Sequence, residues 1–258
     1  MIRGYARKYF EGKTCIYCGK YKLYKLKDKR VKCKHCKRYY SLNKLKRDLL
    51  ILYYFYLEIS ARRAANELII NYKTVQSRFM YFRKCISNYC ELEARKLYGE
   101  LELDESYFGG KRKGNRGRGA KNKAIVFGIL ERKGKVHTVI VQDVSADTLM
   151  NEIKNKTKKG SVFYTDGWKS YASLEQYGKH NIIDHDKELV NNRNHINGIE
   201  GFWSFAKERF HKYHGISKTN YPLYIKEMEF RFNHRNENVY NLLIDICIVR
   251  GQFSAELH

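Results

Sequence analysis

Residues 101–110 read LELDESYFGG, and this run decides the fold of the larger half of the chain. Its residues alternate as in a β-strand, whose successive side chains point to opposite faces of a sheet. One face of the predicted strand carries Leu101, Leu103, Glu105 and Tyr107. Asp104 points to the other face, with Glu102 as its neighbour. The position of Asp104 on a strand makes it a candidate functional residue.

Further elements are predicted after this strand. Strand patterns cover 100–108, 124–131 and 136–141, followed by a helix at 146–156, a strand at 161–165, a helix at 168–177 and a strand at 181–183. With a last helix in 194–210, the order β-β-β-α-β-α-β-α predicts an α/β, RNase-H-like fold. In that fold, three antiparallel strands are followed by crossover connections to further strands, which gives a mixed sheet flanked by helices. We assign residues 99–258 to this domain and its C-terminal helices.

A second acid, Asp166, ends the predicted strand SVFYTD, where Gly167 turns the chain into a helix. Taken alone, Asp166 is an ordinary helix cap or turn residue. Carboxylates at the ends of adjacent strands, however, supply the hard oxygen ligands that Mg²⁺ and Mn²⁺ prefer. Asp104 and Asp166 together therefore predict a divalent-metal site.

Residues 194–210, NHINGIEGFWSFAKERF, are predicted to form an amphipathic helix. Spacings of three, four and three place four polar residues on one face: Asn197, Glu200, Ser204 and Lys207. The apolar side is supplied by Phe202, Phe205 and Phe210, with Trp203 near the seam. Read without the upstream aspartates, this is a surface helix with a Glu–Lys pair; with them, Glu200 becomes a candidate third acid.

Residues 14–36, TCIYCGKYKLYKLKDKRVKCKHC, contain two C-x-x-C pairs separated by a predicted hairpin. Two such turns can surround a tetrahedral ion with four thiolates: Cys15, Cys18, Cys33 and Cys36. This spacing predicts a structural Zn²⁺ in a zinc ribbon over residues 1–44. A pair of disulfides is the alternative, and His35 is predicted to be a surface residue.

Three helices are predicted in residues 45–98, the second capped by Ser60 and the third by Asn71. On the third helix, one buried face is predicted to hold Val75, Phe79, Phe82 and Ile86. Its outward side chains are predicted to be Lys73, Thr74, Gln76, Ser77, Arg78 and Arg83. This is the helix-turn-helix pattern, with Lys73, Gln76 and Arg78 as candidate DNA contacts, although a plain helical connector has the same pattern.

The chain is strongly basic: 51 Lys and Arg against 27 Asp and Glu give a formal charge of +24. A charge of this size predicts a polyanionic partner, and double-stranded DNA is the first candidate. The basic run at 111–123 is predicted to be either a solvated turn or a segment that contacts DNA phosphates. The candidate contacts are Lys111, Arg112, Lys113, Arg116 and Arg118. The chain shows no secretory segment, and the longest apolar run, 49–57, is too short to span a bilayer, which favours a cytoplasmic protein without membrane contact.

Taken together, these motifs resemble the DDE transposases of prokaryotic insertion sequences, of the type related to Merlin transposons. The resemblance rests on the two C-x-x-C pairs, D-E-S-Y-F-G-G at 104–110, T-D-G-W-x-x-Y at 165–171 and H-x-N-x-x-E-x-F-W-S at 195–204. A basic residue, Lys207, follows the last motif. The motifs occur in the family's order over nearly the whole chain.

The resemblance implies that Asp104, Asp166 and Glu200 hold two Mg²⁺ or Mn²⁺ ions. It further implies nicking at the ends of an insertion sequence, joining of the 3′-OH to target DNA, and a homo-oligomer assembled on DNA. Lys207 is similar to the family's phosphate-contacting residue, while Asn197 competes with Glu200 for the third position. Two other functions remain open: a DNA-binding regulator with an inactive nuclease half, and a nuclease or resolvase that cuts without joining.

Overall fold

The computed structural model describes residues 6–109, 123–166, 169–183, 196–213 and 215–250. The chain divides into two units, one of Met1–Leu92 with His234–His258 and one of Glu93–Asn233. This division differs from the predicted segments 1–44, 45–98 and 99–258. Residues 1–92, which cover the first segment and most of the second, share one unit, and the chain after residue 233 clusters with them instead of with the large sheet.

The first unit begins with a short helix, α1 (Arg7–Phe10), and a three-stranded antiparallel sheet. Its strands are β1 (Leu23–Lys25), β2 (Arg30–Cys33) and β3 (Tyr39–Ser41). The predicted hairpin joins β1 to β2, and Lys29 takes a positive φ of 63° in its turn. The ribbon therefore forms where the sequence predicts it.

Three helices follow: α2 (Leu42–Tyr56), α3 (Ala61–Leu68) and α4 (Tyr72–Glu93). The predicted caps are confirmed, since Ser60 Oγ accepts from the Arg63 amide and Asn71 Oδ1 accepts from the Lys73 amide at 2.9 Å. The predicted apolar face is confirmed as well, because its four residues are all buried: Val75, Phe79, Phe82 and Ile86.

The predicted outward position of Arg83 is wrong, since this residue is only 3% exposed and its guanidinium lies 5.2 Å from the Phe55 ring centroid. Arg78 is also engaged within the unit, where it pairs with the buried carboxylate of Asp48 at 3.0 Å. Periodicity places both residues off the apolar stripe, but their long stems carry the guanidinium groups back to partners on neighbouring elements.

The C-terminal helix Val239–Ile244 belongs to this unit because it packs on α2. The Tyr240 ring lies 5.6 Å from that of Tyr53 and 5.3 Å from that of Tyr56. These tyrosines of α2 are thus partly covered by chain from the other end of the sequence. A local pattern cannot show which element will cover an apolar helix face.

The second unit contains a five-stranded sheet in the order β6-β5-β4-β7-β8. Its strands are β4 (Glu100–Phe108), β5 (Ala124–Glu131), β6 (Val136–Val141), β7 (Val162–Asp166) and β8 (Lys179–Ile183). The pairs β4–β5 and β5–β6 are antiparallel, whereas β4–β7 and β7–β8 are parallel. The predicted α/β architecture with a mixed sheet is confirmed.

Helices cover both faces of this sheet: α5 (Ala146–Lys156), α6 (Asn197–His211) and α7 (Tyr221–Asn233). The helix predicted at 168–177 is a 3₁₀ helix, Lys169–Gln176, which packs with α5. Leu101 and Leu103 face α5, while Phe108 faces α6 and α7. The alternation predicted for β4 therefore holds. Among the described residues, no helix combines the length and apolar character needed to cross a membrane.

Helix α7 is fixed to β6 by polar groups of two residues. Glu229 Oε2 accepts from the Thr138 amide at 2.7 Å, from the Thr138 hydroxyl at 2.6 Å and from Lys226 Nζ at 2.7 Å. The side chain of Asn233 exchanges two hydrogen bonds with the backbone of Val136, at 2.8 and 2.9 Å. Since β6 is an edge strand, these bonds satisfy backbone groups that a further strand would otherwise pair.

Replacing Glu229 with alanine is expected to lower the free energy of unfolding of the second unit by about 3 kcal/mol, since it leaves buried donors without an acceptor. Both tryptophans, Trp168 and Trp203, belong to this unit. Tryptophan fluorescence during urea unfolding therefore reports on it selectively. Glu208→Ala is the control, because that side chain is 69% exposed, and its effect should stay within about 0.5 kcal/mol. Equal effects of both changes would contradict the assignment.

Candidate active site and zinc site

Asp104 lies on the face of β4 that is covered by α6, and both of its oxygens accept hydrogen bonds. Oδ1 accepts from the Glu105 amide at 2.8 Å, and Oδ2 accepts from Trp203 Nε1 at 2.9 Å. The pKa of Asp104 is raised to about 6, mainly by burial; the charges of Asp166 and Glu200 contribute to this increase, and the two hydrogen bonds oppose it. Asp104 is thus a partly desolvated acid surrounded by like charges.

The three predicted acids are carried by three different elements. Asp166 ends β7, which is parallel to β4, and Glu200 lies in the first turn of α6. Asp104 and Asp166 are partly buried, whereas Glu200 is exposed. Asp166 and Glu200 both lie close enough to Asp104 for their charges to raise its pKa, so the structure brings the three acids near one another.

The donor set suits Mg²⁺ or Mn²⁺, since all three candidates offer carboxylate oxygens. Each oxygen of Asp104 accepts one hydrogen bond, and a carboxylate has about four lone-pair positions, so the group keeps capacity for an ion. Within the described part of the chain, one set of potential metal ligands is compact enough to hold an ion, and it consists of the four ribbon cysteines. The three acids are neighbours but do not form such a group.

The start of α6 is capped from β4. The residue before the helix, Ile196, provides no side-chain cap; instead Glu102 Oε2 accepts from the Ile199 amide at 2.9 Å. Glu102 is 1% exposed and pairs with Arg132 at 3.0 Å, whose guanidinium lies 3.6 Å from the Tyr164 ring centroid. A buried carboxylate thus fixes the helix that carries Glu200. The sequence showed Glu102 merely as the same-face neighbour of Asp104, which was the available signal.

Two glycines allow this close approach of α6 to the sheet. A Cβ at Gly198 would lie 2.5 Å from Leu130 Cδ2 and 2.7 Å from Glu102 Oε2. A Cβ at Gly128 would lie 2.7 Å from Cζ2 of Trp203. Trp203 can reach Asp104 because Gly128, the residue of β5 beneath the indole, has no side chain.

Gly198→Ala is expected to destabilise the second unit by about 1–3 kcal/mol and to lower activity, because its methyl group must move α6 away from Glu102. Gly201→Ala on the same helix is the matched control, since its Cβ would meet nothing within 4 Å. Alanine there should stabilise the helix by about 0.5–1 kcal/mol. Urea unfolding and DNA cleavage assays of both variants provide the measurement. Equal behaviour would contradict close docking at Gly198.

The polar face predicted for α6 is present, since its four residues are all exposed: Asn197, Glu200, Ser204 and Lys207. The opposite face buries Ile199, Phe202, Trp203 and Ala206. Trp203, predicted near the seam, is 4% exposed and part of the core, and its indole N–H donates to Asp104. Lys207 lies two turns beyond Glu200 and lines a cavity described below.

One pair of residues at the site was not anticipated. The hydroxyl of Tyr171 donates to Glu105 Oε1, joining β4 to the 3₁₀ helix that follows Asp166. Tyr171 is fully buried. The pKa of Glu105 is raised to about 7, mainly by burial; the Tyr171 hydrogen bond opposes this increase, and the charges of Asp104 and Asp166 contribute to it. Both residues lie within the D-E-S-Y and T-D-G-W-x-x-Y motifs. Their contact links the strand that carries Asp104 to the 3₁₀ helix that follows Asp166.

The four ribbon cysteines form a second candidate site, in which the sulfur atoms all lie within 4.8 Å of one another. Cys15 Sγ is 3.7 Å from Cys36 Sγ, and Cys18 Sγ is 3.6 Å from Cys33 Sγ. Four sulfurs at the usual Zn–S distance of roughly 2.3 Å in a tetrahedron are about 3.8 Å apart. The thiol geometry therefore fits zinc, and the four ribbon cysteines form no disulfide bonds.

The two halves of this site share one backbone design. In each, the first cysteine's sulfur accepts from the amide two residues later, Tyr17 in one half and His35 in the other, at 3.4 Å. Gly19 and Lys37 follow the second cysteines with positive φ values of 67° and 63°. His35 itself is exposed, as predicted. Repetition of this turn explains how a short ribbon directs four thiols to one point.

The structure describes three of the eight residues predicted to contact DNA. Lys73 and Gln76 are exposed on α4, whereas Arg78 pairs with Asp48. The remaining five lie outside the described residues: Lys111, Arg112, Lys113, Arg116 and Arg118. The structure thus leaves Lys73 and Gln76 on an open helix face.

Comparison with known proteins identifies the second unit. Residues 96–233 match the ISXO2-like transposase domain. An uncharacterized transposase-like protein of Haemophilus influenzae is 43% identical over 103 residues, which cover 40% of this chain and 84% of that protein. An uncharacterized protein in transposable element ISH50 of Halobacterium salinarum is 25% identical over 248 residues, covering 84% of this chain and 82% of that protein.

Solved structures give a more distant likeness. A chain in the crystal structure of the Mos1 strand transfer complex is 12% identical, with 83% of this chain and 76% of that chain covered and a TM-score of 0.34. A chain of the Mos1 mariner paired end complex with Mn is 13% identical, with 75% of each chain covered and a TM-score of 0.27. The domain match, by contrast, spans more than half of the sequence and includes all three acids. The chain belongs to the ISXO2-like transposase family of insertion sequences.

Proposed function

We propose that this transposase binds the terminal inverted repeats of its insertion sequence, nicks the ends and joins the freed 3′-OH to target DNA. The observation that supports this most is the convergence of Asp104, Asp166 and Glu200 from two parallel strands and a helix. Their order in the chain is that of the DDE transposases of RNase-H-like fold and Merlin-related type, to which the motifs are similar. One site would serve both reactions, since hydrolysis and joining are both attacks at phosphorus.

Asp104, Asp166 and Glu200 would hold the divalent metal ions. When bound, Mg²⁺ or Mn²⁺ would lower the pKa of a water, orient the 3′-OH and stabilise the leaving oxygen during in-line attack. Trp203 holds Asp104 in position through its indole N–H. Glu200 is favoured over Asn197 as the third ligand because its carboxylate offsets part of the metal's charge, whereas an amide neutralises none of it.

Basic and polar residues would bind the DNA. Lys207 would contact a phosphate as a point charge, and Lys73 and Gln76 lie on a helix face that can meet a DNA groove. The predicted phosphate contacts in 111–118 would add to them. With a formal charge of +24, end binding should weaken steeply as salt increases. Assembly of two or more copies on paired ends is part of this proposal.

A strand-transfer assay tests this function. Purified protein is incubated with labelled inverted-repeat DNA, a supercoiled target plasmid and Mg²⁺. Joined product supports the transposase assignment. Cutting without joining would instead indicate a nuclease or resolvase, and binding without either reaction would indicate a regulator.

A further inference from the structure

A cavity of about 730 Å³ lies beside the acidic site, where β4 and α6 both end. Its walls include five aromatic side chains: Tyr107, Phe108, Phe210, Tyr213 and Tyr221. Its volume is in the range of small-ligand sites, roughly 300–1,000 Å³. The three acids are not among its lining residues, so the cavity is separate from the metal site.

Contacts among the rings hold these walls in place. Phe210 packs edge to face against Phe108 at 5.1 Å and against Tyr221 at 5.4 Å between ring centroids. Phe108 and Tyr221 are buried, at 2% and 8% exposure, so they form the floor. Tyr107 and Tyr213 are less buried and lie nearer the solvent. The aromatic lining of the cavity is therefore preformed, and the rings need not rearrange when a ligand binds.

The charged lining of the cavity has one sign. Its charged residues are Lys123 and Lys207, which are both exposed, and none of its described lining residues is acidic. Aromatic walls favour a flat ring, and lysines favour an anion next to it. A nucleotide combines the two, because its base is a planar ring joined through the sugar to a phosphate.

The position of the cavity connects it with the reaction. Lys207 shares the exposed face of α6 with Glu200 and also lines the cavity. Phe108 is four residues beyond Asp104 on β4, and its ring lies 6.0 Å from that of Trp203, the hydrogen-bond partner of Asp104. A DNA strand that places a phosphate at the acids can therefore place a neighbouring base in the cavity.

We propose that the cavity binds one unstacked nucleobase of the transposon end, next to the cleaved phosphate, with Lys207 and Lys123 contacting its backbone. This inference rests on the proposed function. Removing a base from the duplex stack costs free energy, and stacking on the aromatic walls would offset that cost. The cavity would thus position the end for cleavage by capturing a base.

The test places 2-aminopurine at each position around the cleaved phosphate of inverted-repeat DNA and measures fluorescence on binding in buffer without Mg²⁺ or Mn²⁺, which prevents cleavage and leaves the ribbon zinc in place. We expect one position at which the wild type changes the fluorescence at least twofold. Tyr213→Ala should abolish that change and Tyr213→Phe should retain it. Tyr98→Ala is the control, since Tyr98 is 55% exposed in the same unit and does not line the cavity.

A second measurement covers the case in which Tyr213→Ala does not fold. An abasic site at the responsive position has no base to remove from the duplex stack and no base to place in the cavity. Tyr107→Ala and the wild type should therefore bind such an end with equal affinity. If the wild type cleaves the ends but no position responds, or Tyr213→Ala responds as the wild type does, the cavity proposal is wrong and the proposed function stands. If the wild type neither binds nor cleaves the ends, both proposals are wrong.

Discussion

Replacing Glu200 with glutamine is expected to reduce cleavage of transposon-end DNA by roughly 10²–10³-fold or more, while end binding stays within about twofold. The amide is close in size to the carboxylate but carries no charge, so a metal site would lose a charged ligand. Glu200 is exposed, at the start of a helix whose cap is Glu102, so the fold should be unaffected. Cleavage in Mg²⁺ and gel-shift affinity in buffer without added Mg²⁺ or Mn²⁺ provide the two measurements.

Two variants of α6 make this result specific. Ser204→Ala is the control, since Ser204 is exposed on the same face one turn further and has no proposed role; cleavage should be near that of the wild type. Asn197→Ala tests the competing ligand and should lose far less activity than Glu200→Gln. If Glu200→Gln still cleaves and Asn197→Ala does not, Asn197 is the third ligand and our assignment is wrong.

Removing zinc is expected to unfold the ribbon and to abolish end binding. The ribbon has a small apolar core, which includes Ile16, Val31 and Tyr40, so it has little burial to replace the metal. Structural zinc contributes apparent binding free energies of about 10–16 kcal/mol in small zinc-finger peptides. We expect one zinc per chain by elemental analysis, lost in Cys33→Ala but retained in Cys90→Ser, whose cysteine is outside the cluster.

Limited proteolysis shows where the structure is lost. Without zinc, new cleavage should appear within residues 14–36, while tryptophan fluorescence, which reports on the second unit, should be unchanged. A chelator-treated protein that contains no zinc, resists protease at these residues and binds ends normally would contradict the structural role of the metal.

Much of the fold could be predicted from periodicity alone. The predicted bounds of β4, β5, β6 and α5 agree with the structure because apolar patterns and turn residues define these elements locally. Boundaries after residue 160 were less accurate, and a 3₁₀ helix was predicted as an ordinary helix. The packing of the C-terminal helix on α2 was not predictable, since it depends on tyrosines far apart in sequence.

For the candidate site, the sequence indicated which acids to consider but not what positions them. Glu102 caps α6 at Ile199, and Glu105 accepts from Tyr171, across 97 and 66 positions of sequence respectively. Buried polar pairs of this kind have no periodic signal. The exclusion of Trp203 from the surface likewise depends on Gly128, on another element, where the absence of a side chain leaves space for the indole.

The central claim is that Asp104, Asp166 and Glu200 bind the metal that cleaves DNA, and metal-specificity rescue tests it most directly. Cysteine is substituted at each position in turn, and cleavage is measured in Mg²⁺ and in Mn²⁺, which accepts sulfur more readily. We predict that all three variants are inactive in Mg²⁺ and regain cleavage in Mn²⁺, while Lys207→Ala gains no such selectivity. A Glu200→Cys variant that Mn²⁺ fails to restore, together with an Asn197→Cys variant that it does restore, would contradict the account.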